Sequence, residues 1–147
     1  MMLDRDGICL RVPHSGAMCL LDGVERWDAQ GIVCTAPAVN ADHPLATHDQ
    51  PGSVAAVAAA EYAAQAAAVH GALLDGCERA RPGMLVRLQD LLWTRPVIVA
   101  DDGALHVSAS LLARSDSGCV YTFTLDGQRG PLASGRLTVA FMAESGA

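Results

Sequence analysis

Two side chains in the middle of this sequence are of types that move protons. They are His43, in the loop Asp42-His-Pro-Leu45, and Glu61, in AAEYAAQAAAVHG. A histidine exchanges protons near neutral pH, and a carboxylic acid kept from ionising can donate one. Gln65 follows Glu61 by one helical turn, so it can hydrogen-bond Glu61 or a ligand. It can equally satisfy a buried backbone group.

The neighbours of Glu61 at helical spacing, Ala58, Ala64 and Ala68, offer no cation. Burial of a carboxyl there would favour its protonated form, which a general acid requires. The competing reading is a Glu61 that reaches solvent or pairs with a strand arginine, and the residues alone leave the two in balance. For His43, loops on rigid scaffolds carry many catalytic groups, yet an exposed loop histidine without a role is the commoner outcome. His48 shares the loop and rivals it. His14, in Pro-His-Ser-Gly, organises a turn. His70 sits near a helix end, where positive charge suits the dipole, and His106 reads as a solvent-facing strand residue.

A long apolar helix must present Glu61. Ser53 is a good N-cap and Gly76 a good stop, with Gly71 a looser point. A helix of roughly 22 residues would be about 33 Å long. The apolar stretch Val54–Leu74 does not read as a membrane span. Alanine contributes little to insertion, and a central Glu61 would cost about 2.5–3.5 kcal/mol. A helix apolar nearly all round is better buried in a soluble fold. Before it, Leu20–Trp27 and Ile32–Val39 read as strands about the turn Asp28–Gly31. After it, Arg81-Pro-Gly83 breaks the chain. Leu85–Trp93, Leu105–Ala113, Val120–Leu125 and Leu132–Phe141 read as four further strands. One helix buried against an antiparallel sheet of about five or six strands is an α+β architecture, and the 147 residues suit a single domain.

Composition narrows the function. A net charge of −6 makes a general nucleic-acid binder a poor fit, because phosphate neutralisation dominates such binding. All ten basic residues are arginine. The five cysteines, Cys9, Cys19, Cys34, Cys77 and Cys119, form no CxxC pair, so a zinc site or disulfide framework is not expected and a reducing cytosol fits. The N-terminus lacks a basic and then apolar leader. There is no GxSxG, P-loop, GxGxxG or HExxH motif.

Three pieces in order carry a resemblance over about Val12 to Phe141. They are VPHSGAMCLLDGVERWD, then DHPL with AAEYAAQAAAVHG, then RPG before MLVRL. Together they are similar to the hotdog-fold 3-hydroxyacyl-carrier-protein dehydratases, closest to the ApeP-like branch associated with aryl-polyene biosynthesis. Two departures stand out. His43 and Glu61 lie 18 residues apart, and Val54-Ala55-Ala56-Val57 stands where the family has Pro-Ala-Trp. Ala63 replaces a preferred methionine, which would enlarge an acyl tunnel.

The resemblance implies a sheet wrapped round the helix, His43 as base, and Glu61 as acid in dehydration of a 3-hydroxyacyl thioester. The substrate-binding group would be Gln65 with Val54, Ala55 and Val57 at the helix start. It implies no metal or redox cofactor, and a substrate presented on the phosphopantetheine of an acyl carrier protein. Hotdog domains join sheets as homodimers or heterodimers, and the histidine of one subunit often works with the acid of the other. Arg79, Arg81, Arg87 and Arg95 are the candidate patch for an acidic carrier protein. The alternatives are a non-catalytic hotdog subunit that supports a partner dehydratase and, less favoured, a thioesterase.

Overall fold

The computed structural model describes residues 3–11, 19–46, 52–77 and 80–142. The turn expected at Pro13–Gly16, with His14, His48 and Arg79, lies outside them. A short strand β1 (Leu3–Asp4) leads into helix α1 (Arg5–Arg11), then β2 (Gly23–Trp27) and β3 (Gly31–Ala36). β4 (Ser53–Ala55) and a single 3₁₀ turn (Ala56–Ala58) precede helix α2 (Ala59–Asp75). The rest is strand: β5 (Gly83–Trp93), β6 (Val97–Val99), β7 (Leu105–Ser115), β8 (Gly118–Gly127) and β9 (Gly130–Phe141).

Seven strands form one sheet in the order β1-β2-β3-β7-β8-β9-β5, antiparallel at every pairing, and β4 pairs with β6 in a separate ribbon. This is one or two strands more than expected. The unexpected strands, β1 in the sheet and β4 and β6 in the ribbon, have too few residues to show a period-two pattern. The turn between β2 and β3 is an Asx turn, with Asp28 Oδ1 accepting from the N–H groups of Gln30 and Gly31.

Alternation decides which face of the sheet meets the helix. Ile32, Cys34 and Ala36 of β3 point inward, as do Leu105, Val107 and Ala109 of β7 and Tyr121, Phe123 and Leu125 of β8. They close on Ala59, Ala63, Ala66 and Val69 of α2. Alanine leaves little side chain between helix and sheet, so the sheet wraps tightly round α2, which is the hotdog arrangement. The three cysteines Cys34, Cys77 and Cys119 are free thiols. Cys19 is disulfide-bonded, contrary to expectation.

The helix begins later than Ser53. Ser53 is buried and belongs to β4, where it faces Val99. Pairing with β6 overrides its capping preference, which shortens α2 to 17 residues, about 26 Å. The far end is as expected: Gly76 adopts φ 66 and ψ 27, the left-handed C-cap that favours glycine. Among the described residues no helix is long and apolar enough to cross a membrane.

His70 anchors this helix. It is fully buried rather than placed at a solvated helix end. Its Nε2–H donates to the Asp28 carbonyl at 2.7 Å, and its Nδ1 accepts from the Tyr121 hydroxyl at 2.6 Å. Helix α2 is thereby tied to the β2–β3 turn and to β8. Burial holds His70 below its ordinary pKa, so it is neutral, as two such bonds of opposite polarity require.

Candidate active site

Glu61 lies in the first turn of α2 and is half-buried. Gln65 fixes it from one turn on. The Gln65 Oε1 accepts the Leu20 N–H at 2.8 Å, which forces its Nε2 to face the other way. That nitrogen donates to Glu61 Oε1 at 3.3 Å. Both readings of Gln65 therefore hold: it satisfies a buried backbone donor and orients the carboxyl.

Glu61 and Gln65 stand at one end of a cavity of about 330 Å³. That volume is in the range of small-molecule sites. Its floor is the helix stripe Ala64, Ala68 and Gly71, and its walls are Met84 and Leu85 of β5 with Val139 and Phe141 of β9. Asp75, Arg114 and Arg81 close the other end. Arg114 donates twice to Asp75, at 2.9 and 2.8 Å. Arg81 lies over the Phe141 ring at 4.2 Å and donates to the Asp116 carbonyl.

His43 meets a different side chain. Its Nδ1 accepts the Leu45 N–H at 3.0 Å, so the neutral ring carries its proton on Nε2. That Nε2–H faces the Tyr62 hydroxyl at 2.9 Å. Burial lowers the His43 pKa, keeping the ring neutral, and raises that of Tyr62 to about 12, keeping the phenol protonated. His43 does not line the Glu61 cavity within one chain. Positions 61 and 62 are neighbours in sequence but about 100° apart round the helix. The structure thus brings Glu61 to Gln65 and His43 to Tyr62, as two separate pairs. Tyr62 is the residue that sequence reasoning passed over. The chain has two tyrosines, and in the structure each meets a histidine.

The helix start is differently used. Val54 is fully buried in the β4–β6 ribbon, Ala55 is half-buried beside it, and Val57 is exposed. None of the three lines the cavity. The Ala56 N–H already donates to the Pro96 carbonyl at 2.8 Å. Ala63 is buried in the core and not on the cavity wall. Of the arginines, Arg87 is exposed on β5, while Arg95 is paired with the buried Asp102. Arg114, absent from the sequence-based patch, is the one that joins Arg81 at the cavity. Among the described residues, no group of three or more His, Cys, Asp or Glu side chains has the arrangement of a metal site.

Comparison with known proteins agrees with this architecture. The family described as ApeP-like, ApeP dehydratase, matches residues 8–145. A solved structure, the dehydratase heterocomplex ApeI:P from Xenorhabdus doucetiae, aligns with TM-score 0.82 at 21% identity, over 99% of this chain and 95% of that one. A hypothetical thioesterase with coenzyme A from Streptococcus pneumoniae aligns with TM-score 0.58 at 12% identity, over 82% and 85% of the two chains. A mutant thioesterase from Pseudomonas aeruginosa aligns with TM-score 0.59 at 16% identity, over 95% and 94%. At these identities the structural likenesses establish the fold. No curated protein matches the sequence.

Proposed function

The chain belongs to the ApeP-like dehydratase family, and from that premise we propose that it removes water from 3-hydroxyacyl thioesters carried on an acyl carrier protein. The observation that carries this reading is Glu61, set by Gln65 at the head of an apolar cavity. In the proposed reaction His43 takes the proton α to the thioester, and the electron pair forms the 2,3 double bond. Glu61 protonates the departing 3-hydroxyl, which leaves as water. The neutral state of His43 suits a base. Phosphopantetheine on the carrier protein would present the substrate, and the steps assigned to this chain need no other cofactor.

Because His43 lies off the Glu61 cavity in one chain, the reading places His43 of one protomer against Glu61 of its partner. Strand β5 supports such an assembly. It is an edge of the seven-stranded sheet, and Met84, Leu85, Val86, Leu92 and Trp93 along it are exposed. An edge strand of this length with apolar side chains is a template for pairing with another chain. Arg81, at the cavity end, and Arg87, on the same strand, are the remaining candidates for contact with an acidic carrier protein.

A second reading has its own support: a hotdog subunit that sustains a partner dehydratase without turning over substrate. The Leu45 N–H on Nδ1 leaves the proton of neutral His43 on Nε2, where a base needs its lone pair. The solved structure from Xenorhabdus doucetiae is itself a heterocomplex. One assay separates the readings. The protein is incubated with a 3-hydroxyacyl-carrier protein, and the mass of the attached acyl group is followed. Loss of water supports dehydration, and loss of the whole acyl group supports hydrolysis. An inert protein that restores activity to a second hotdog subunit supports the accessory role.

A further inference from the structure

Tyr62 carries a hydroxyl that packing does not need. Its side chain is 1% exposed, within the core around α2. Phenylalanine would fill the same space without desolvating a polar oxygen. A buried phenol finds a partner, and among the described residues that partner is His43, whose Nε2 lies 2.9 Å from the hydroxyl. The two rings are tilted by 36° with centroids 6.1 Å apart, so the contact is made at the hydroxyl rather than by stacked faces.

The other hydrogen bonds of His43 are local. Its N–H donates to the Asn40 carbonyl at 3.1 Å, and its carbonyl accepts the Ala46 N–H at 3.0 Å. Its Nδ1 accepts the Leu45 N–H, also at 3.0 Å. These bonds shape the turn. The Tyr62 bond spans 19 positions and ties the ring to helix α2. A ring held at both nitrogens has its orientation and its tautomer fixed. A hydroxyl accepts or donates, so this tie lasts whichever nitrogen carries the proton, and in the imidazolium as well.

Tyr62 also follows Glu61 directly, in the first turn of α2, where Ala59, Ala60 and Ala63 are buried. One helical turn therefore sets both groups, Glu61 directly and His43 through Tyr62. We propose that Tyr62 is a positioning residue for the dehydration. It registers the loop-borne His43 to the helix that carries Glu61, so that base and acid of two protomers meet at a distance set by the helices rather than by the loop. The inference rests on the dehydratase reading above. Burial alone holds the His43 pKa down, and the titratable group facing the ring is Tyr62, whose own pKa burial raises to about 12. Asp42, beside His43 on the loop, is exposed.

The test uses the full chain with isotope-labelled histidine, the His43 signals being identified by their loss in His43→Gln. Wild type should show neutral His43 with its proton on Nε2. In Tyr62→Phe the ring should protonate only at lower pH, because the imidazolium loses an acceptor. With a second hotdog subunit supplied, kcat for a 3-hydroxyacyl chain on its carrier protein should fall about tenfold or more, with KM nearly unchanged. The acid limb of the pH profile should move to lower pH with the ring. Thermal melting checks that the variant is folded. A variant that melts earlier but keeps the kcat and acid limb of wild type overturns the proposal. So does a wild type whose neutral His43 carries its proton on Nδ1. A wild type that releases no water from any 3-hydroxyacyl chain sinks the dehydratase reading and this role with it, while the spectra still report whether Tyr62 holds His43.

Discussion

The Nε2 of His43 lies 2.9 Å from the hydroxyl of Tyr62, while Glu61, the residue before Tyr62, turns toward Gln65. Helix α2 thus holds Glu61 apart from the loop residue His43, each with its own hydrogen-bond partner on the helix. The separation is what a site assembled from two protomers would show.

Replacing Tyr62 with phenylalanine removes the acceptor of the His43 N–H and leaves the ring shape intact. The loss should cost about 1–2 kcal/mol of stability, since the pair is partly buried. Urea unfolding measures it. If Tyr62 also positions His43, the pH profile of turnover shifts in the same variant; a purely structural role would lower stability alone.

Gln65→Leu should cost more, about 2–3 kcal/mol, because it strands the buried Leu20 N–H and removes a hydrogen bond to Glu61. Chemical denaturation checks the magnitude. A change under half a kilocalorie would show that another group takes over the Leu20 donor.

His70 makes stability depend on pH with a definite sign. Burial, the main cause, lowers its pKa in the folded protein; the Asp28 carbonyl works against this without reversing it, and the Arg114 charge adds to it. The unfolded chain therefore binds this proton more readily, near its ordinary pKa of about 6.5. The stabilisation from neutral His70 is complete above that pH and is lost as pH falls from there toward the lowered folded value. His43 contributes in the same direction. Urea midpoints between about pH 8 and pH 5 should fall, and His70→Gln should flatten part of that slope. A slope unaltered by His70→Gln would remove His70 from the account.

Arg95 serves the fold. It pairs with Asp102, which is fully buried and also accepts the Val99 N–H at 2.9 Å. Arg129 is 3.6 Å away but more exposed. Arg95→Ala should lower stability by about 3 kcal/mol, because it leaves a buried carboxylate poorly compensated. Arg87→Ala, on the exposed strand, should stay within about 0.5 kcal/mol. Thermal melts of the two variants make the comparison.

How much of this was legible in the sequence follows from where each signal is local. Strands β7 and β8 alternate and are bounded by turn residues, so they can be read directly. The helix stop at Gly76 is local too, whereas its start is not. Ser53 has the chemistry of a cap, but Val97–Val99, far along the chain, recruits it into a strand. Glu61 and Gln65 could be placed on one face by spacing alone. Tyr62 could not be told from a core aromatic, because its partner His43 arrives through a loop whose path the residues do not dictate. Arg114 was missed for the same reason: its link to Asp75 spans 39 positions. His70 was misjudged because nearness to a helix end suggests solvent, while burial against β8 decides the matter.

The most direct test of the central claim is Glu61→Gln, assayed by the mass of a 3-hydroxyacyl chain on its carrier protein, with any second hotdog subunit supplied. Glutamine can still accept from Gln65, so the site keeps its shape but loses its acid. The account predicts that wild type removes one water from the chain and that Glu61→Gln slows this by about a hundredfold or more. Equal rates for the two proteins would contradict it.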